Sequence, residues 1–259
     1  MITEQTTGKL QINTQRAGEL TSAILQKQIT EARFRINLSP QYALDMLAAF
    51  YDAEVRRRLR QTVWDENTVR ALVSLAGHLT LPIPKFGVLC CGTCGNGKTT
   101  LMLAFQRMLN YLREQNHFSF LDEDNRKFDA AMRIYDVKEI VWLARTDYRK
   151  YKDVMQSAMI GIDDLGKEPA EILDYGNVLS PVIDLIEHRY SRQLFTFATT
   201  NLTARGRRSD NEDNDGSIRG KYKDRIADRF NEMFHTIVFK NITYRKLQTH
   251  TYNDKTDNP

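Results

Sequence analysis

Cysteine is scarce: 259 residues contain three, all between positions 90 and 94. That distribution excludes a disulfide scaffold, which needs pairs spread along a secreted chain, and leaves reduced thiols. Long apolar runs are missing as well, and without a run of about 18 apolar residues no membrane-spanning helix is expected. The opening MITEQTTGKLQINTQRAGEL has neither a basic-then-apolar signal nor a lipidation motif, so a cytoplasmic protein with no membrane partner is expected. Charge of one sign is lacking too. The net charge of +4 means that any nucleic-acid binding must come from local clusters of Lys and Arg. Internal repeats are absent.

What is present is an alternation of short apolar runs and helical patterns. FGVLCC, AMRIYDV, AMIGIDDLG, QLFTFATTN and HTIVFKN read as strands, with helix-like segments between them. This order predicts an α/β fold with a parallel sheet covered by helices. Upstream, a helix is expected over residues 17–33. A second starts at Ser39 and Pro40, with Leu44, Leu47, Tyr51, Val55 and Leu59 at helical spacing. It ends in Arg56, Arg57, Arg58 and Arg60, either a solvated basic face or a docking surface. A third, from Asn67 to Leu79, carries Val69, Leu72, Val73 and Ala76. Residues 1–60 form a helical N-terminal region and 61–259 the main domain, interrupted by a polar, exposed loop at about 205–221.

The stretch from Gly92 to Thr100 (Gly92, Thr93, Cys94, Gly95, Asn96, Gly97, Lys98, Thr99, Thr100) satisfies G-x-x-x-x-G-K-[ST]. It follows a predicted strand and opens a predicted helix, the context that a phosphate-binding loop needs. Backbone N–H groups wrap the phosphates, Lys98 reaches the β and γ oxygens, and Thr99 offers its hydroxyl to Mg²⁺. In this register Cys90 and Cys91 point to opposite sheet faces and Cys94 lies in the loop, so the three do not converge on a metal.

ATP with Mg²⁺ also needs carboxylates. Asp163 and Asp164 supply them after the apolar run MIGI: Asp163 for the metal, Asp164 to orient or deprotonate the attacking water. At the end of QLFTFATTN, Thr200 or Asn201 either contacts the γ-phosphate or water, or caps a turn. Arg225 and Arg229 share a helix face, as an arginine reaching a neighbouring subunit would, or pair with Asp224 and Asp228.

Taken in order, GTCGNGKTT, IGIDDLG, FATTNL and RIADRFNEM resemble the AAA+ ATPases of the helicase-loader group, the DnaC and DnaI type, and the related IstB transposition ATPases. The likeness spans about residues 60–250. It implies a P-loop AAA+ core, Walker A at Lys98 and Thr99, Walker B at Asp163 and Asp164, sensor 1 at Asn201 and an arginine finger at Arg229. Walker B here has Asp where many members have Glu. Only 30 residues follow Arg229, which implies little or no C-terminal lid. The resemblance further implies ATP and Mg²⁺ as cofactors, a homo-oligomer when ATP is bound, and a replicative helicase or a transposase as partner. In loaders the region after the second strand contacts single-stranded DNA. Here it holds Tyr148, Arg149, Lys150, Tyr151 and Lys152, basic residues interleaved with aromatics that suit such a strand or, equally, a solvated helix end.

The expected function is an ATP-hydrolysing DnaC-like protein of DNA replication that loads a replicative helicase onto single-stranded DNA. The alternative is an IstB-like ATPase that directs a transposase. A P-loop nucleoside kinase is a third reading, which the paired aspartates and the late arginine helix fit less well.

Overall fold

The computed structural model describes residues 14–27, 33–115, 131–169, 171–174, 177–204, 216–240 and 243–244. Its centre is the sheet that the apolar runs predict: β1 (Gly87–Gly92), β2 (Arg133–Asp136), β3 (Met159–Leu165), β6 (Phe195–Thr200) and β7 (Phe234–Phe239). They lie in the order β2-β3-β6-β1-β7, and every neighbouring pair is parallel. Two three-residue strands, β4 (Ile172–Asp174) and β5 (Asn177–Leu179), form a separate antiparallel ribbon.

Both faces of the sheet are covered, which is why its central strands are apolar on both sides. Successive residues of β1 feed two different cores. Val88 and Cys90 pack with α2 (Pro40–Arg56), α3 (Glu66–Leu79) and α4 (Lys98–Glu114). Leu89 and Cys91 pack with α5 (Val137–Thr146), α6 (Tyr148–Gln156), α7 (Pro181–Ser191) and α8 (Ile218–Met233). Cys90 and Cys91 thus face opposite ways. Burial pushes the Cys91 thiol up to about 12 and that of Cys90 well above its ordinary value, so both stay protonated.

Helix ends follow their caps. Ser39 accepts a bond from the Tyr42 amide and Asp65 from the Thr68 amide, so the second and third expected helices start at Pro40 and Glu66. On α4 the face of Leu101, Phe105, Met108 and Leu112 is fully buried. Two parts of the expected pattern fail. Leu59 lies beyond the end of α2, 96% exposed and with φ of 54°. Left-handed backbone costs a non-glycine residue about 1–3 kcal/mol. On α3 the buried face is Ala71, Leu72, Leu75, Ala76 and Leu79, while Val69 and Val73 face outward. That the small Ala71 and Ala76 share the covered face is something apolar spacing alone does not reveal.

Packing is continuous across residue 60. Phe34, Ile36, Leu47 and Tyr51 share one core with Phe105 and Phe197, and the buried Glu54 of α2 pairs with Arg107 of α4. The first helix, α1 (Thr14–Lys27), shows exposed side chains from Thr14 to Ala23. Ser217 caps α8 by accepting from Gly220 N, so helix begins at Ile218, inside the stretch expected as loop; residues 205–215 lie outside the described residues. So do residues 245–259, on which the expectation of little or no C-terminal lid falls. Among the described residues no helix is long and apolar enough to cross a membrane.

Candidate nucleotide-binding site

Open α/β sheets bind ligands beyond the carboxyl ends of their strands, and the expected motif residues meet there. β1 runs into the loop at Gly92, and α4 starts at Lys98. Glycine is required at both ends of this loop. Gly92 and Gly97 have φ of 151° and 101°, and a Cβ on Gly97 would stand 2.5 Å from the Tyr51 hydroxyl. The resulting cleft, about 390 Å³, is lined by Cys94 to Thr100, Asp163, Asp164, Lys167 and Asn201, together with Arg58 and Arg60.

Lys98 is only 5% exposed. Its ammonium donates to the carbonyls of Gly92 and Thr93 at 2.8 and 2.7 Å, and to the side-chain oxygens of Asn96 and Asn201 at 3.2 and 3.0 Å. Burial pulls its pKa below the usual lysine value. A cation so placed is costly unless oxygens surround it, and phosphate oxygens would serve better than carbonyls. Asn201 therefore reaches the cleft, at the lysine. Thr200 does not: its buried hydroxyl donates to Leu165 O at 2.6 Å.

The two aspartates differ. Asp163 accepts from the Thr99 hydroxyl at 2.9 Å and from the Thr199 hydroxyl at 2.5 Å. Asp164 sits at φ of 61°, with its amide held by Thr199 Oγ1 at 3.0 Å and its carboxylate paired with Lys167 at 2.5 Å. The carboxylate partner raises the Lys167 pKa. Thr99 and Asp163 are adjacent hard oxygen donors, the chemistry that Mg²⁺ takes when phosphates complete its shell. Among the described residues no three His, Cys, Asp or Glu side chains form a metal cage.

Other expected site residues lie elsewhere. Arg229 does not line the cleft of its own chain; its guanidinium pairs with Glu187 of α7 at 2.5 Å and lies 5.2 Å from the Tyr190 ring centre. Arg225 shares Glu187 at 3.2 Å, and Asp224 and Asp228 pair instead with Arg219. On α6, Tyr151 is a correction: it is 3% exposed and its hydroxyl donates to Pro181 O at 2.7 Å, so it has no face free for a base. Tyr148 is 59% exposed with the Lys152 ammonium 4.9 Å from its ring centre, Lys150 pairs with Asp147 at 3.1 Å, and Arg149 is exposed.

Sequence reasoning missed Thr199 and Lys167, and it read Arg58 and Arg60 as a solvated basic face or a docking surface, not as walls of this cleft. A period of two along β6 could have flagged Thr199, since it shares a face with Phe197. Nothing local marks the others. It also missed Glu168, buried just after the aspartates, which accepts from the Tyr222 hydroxyl and from Gly166 N and so fastens this loop to α8.

No protein-family model matches the chain, and no curated protein matches it. Solved structures do. The crystal structure of the DnaC helicase loader is 21% identical at a TM-score of 0.50, covering 74% of this chain and 99% of that one. A DnaI crystal structure is 19% identical over 71% of this chain and 87% of that one, at a TM-score of 0.46. AMPPCP-bound DnaA from Aquifex aeolicus is 12% identical over 68% and 48%, at 0.42. The parallel sheet, its phosphate loop and the helices on both faces thus have the fold of the solved DnaC helicase loader.

Proposed function

We propose that the chain binds ATP with Mg²⁺ in this cleft, hydrolyses it, and works in DNA replication as a loader of a replicative helicase onto single-stranded DNA. The observation that carries the nucleotide reading is the buried Lys98 ammonium, ringed by oxygens at the mouth of a glycine loop beside the bonded Thr99–Asp163 pair. Lys98 turns from its loop carbonyls to the phosphates, and Asn201 steadies it. Thr99 and Asp163 would hold Mg²⁺, which would supply positive charge to offset that of the phosphates. Asp164, once released by Lys167, orients the attacking water. The loader reading is supported by the likeness to the solved DnaC helicase loader, of which 99% is covered. The exposed α1 suits an arm that docks on a partner.

Phosphate release by the purified protein, with and without single-stranded DNA, tests this reading. Wild type should turn over, and Asp164→Asn should bind ATP yet lose turnover by about 10²–10⁴-fold. Unchanged turnover would remove Asp164 from the reaction, and a preference for duplex over single-stranded DNA would favour the transposition ATPase. Arg229, absent from its own cleft, acts on the neighbouring subunit's phosphates in an ATP-bound oligomer. Arg229→Ala should keep ATP affinity and lose about 10³-fold in turnover. Mixing it with Asp164→Asn should restore part of the activity. Co-assembled mixtures that stay inactive would assign Arg229 to packing with Glu187 and Tyr190.

A further inference from the structure

The basic run at the end of α2 divides in a way that composition conceals. Arg56 pairs with Asp52 at 2.7 Å, and Arg57 and Arg58 each lie 3.6 Å from the buried Glu54 carboxylate. The chain then turns through Leu59, which buries nothing and holds a left-handed backbone conformation. Such strain on an exposed leucine brings no packing gain. Its product is the position of the next residue, because the turn sets Arg60 on the wall of the nucleotide cleft. Among the described residues Arg60 has no acidic partner.

The two arginines that line the cleft also line a second, smaller cavity of about 70 Å³ beside it, with Tyr51, Val55, Val63 and Tyr244 among its walls. Asp163, Asp164, Lys167, Lys98 and Asn201 line only the larger space. The groups for a terminal phosphate and a metal therefore gather at one end, and aromatic and aliphatic walls that suit a flat base stand at the other. Arg58 and Arg60 stand where the two spaces join. What a nucleotide carries at that junction is its α- and β-phosphates.

Resting on the nucleotide reading above, we infer that Arg60, with Arg58 beside it, grips the α/β-phosphate segment of a nucleoside di- or triphosphate from within the same chain. Arg58 is already held by its bonds to Glu54, so it is the fixed member. Arg60, without an acidic partner, closes onto the ligand. This grip is shared by ADP and ATP, whereas Asp163, Asp164 and Asn201 read the terminal phosphate.

Calorimetric titration of ADP and ATP into wild type, Arg60→Ala and Arg60→Lys tests the assignment, with Lys98→Ala as reference for the cleft itself. Arg60→Ala should weaken both nucleotides by the same factor, about 10- to 100-fold for a charge-assisted contact. The lysine variant should recover part of the loss, and the melting temperature should hold because Arg60 is exposed. Unchanged affinity for both nucleotides would overturn the proposal while leaving the cleft intact, provided that Lys98→Ala abolishes binding. A loss confined to ATP would move Arg60 to the terminal phosphate and equally overturn it. If wild type binds neither nucleotide, the nucleotide reading itself falls.

Discussion

The glycine-loop cleft and the α5–α6 pair are both rich in basic and polar residues, yet their side chains are organised on different principles. In the cleft, Lys98, Asn96, Asn201, Thr99, Asp163 and Thr199 bond to one another, from three elements that end side by side. On α6 neighbouring residues part company: Tyr151 is buried against α7, Tyr148 stays outside, and Lys150 returns to Asp147 at the helix N-cap. The first region holds a desolvated charge and cannot stay satisfied without oxygens around it. The second has already met its needs within its own helix and the core. A buried, oxygen-ringed cation on a cleft wall is chemistry that suits an anion; a basic-aromatic composition commits a helix to nothing until its faces are known.

If that contrast is right, Lys98→Ala has the largest effect. Nucleotide affinity should fall by roughly three orders of magnitude, about 4 kcal/mol, within the range for removing one partner of a buried charged contact. Titration of the variant checks it. Affinity near wild type would mean that the ring of oxygens serves only the fold, and the contrast between the regions would collapse.

Tyr151→Ala comes next and breaks the comparison from the other side. Emptying an aromatic site in the core, with a buried hydroxyl bond to Pro181 O, should cost about 3 kcal/mol of stability. Chemical denaturation measures this. A variant as stable as wild type would show that Tyr151 is not held by the core and would return it to the list of DNA contacts.

What the sequence made legible follows from the same contrast. The glycine loop could be read because its geometry is written in backbone terms: glycines where φ is positive, then lysine and threonine at a helix start. The meeting of Asp163 and Asp164 with that loop could be read because both stand at the carboxyl end of an apolar strand. Arg60 could not, because its place depends on an exposed turn at Leu59 that helical periodicity would have continued through. The helix face of Val69 and Val73 was misplaced for a related reason. Ala71 and Ala76 are buried while the larger Val69 and Val73 are exposed, and no local pattern reports which face of a helix a neighbour will cover. Tyr151 and Tyr148 are three positions apart, so periodicity puts them near one another, but not which is covered.

The smallest expected effect belongs to Tyr148, and its size is itself informative. Its ring stacks on Tyr151 with centres 5.9 Å apart and carries the Lys152 ammonium 4.9 Å from its centre. A base that stacks there must displace that cation, so part of the gain offsets a contact already present. Base–aromatic stacking contributes about 1–3 kcal/mol, and Tyr148→Ala should therefore weaken single-stranded DNA binding near the lower limit, about 1 kcal/mol or fivefold. Stability should not change, because the ring is mostly exposed. Fluorescence anisotropy of a labelled oligonucleotide, read beside a melting curve, separates the two quantities. Removing the cation instead, with Lys152→Ala, should reduce the salt dependence of binding while leaving the Tyr148 ring more open to a base. A Tyr148→Ala protein that melts early and binds DNA normally would make α6 a structural helix through both its tyrosines, and the DNA contact would have to be sought on another face.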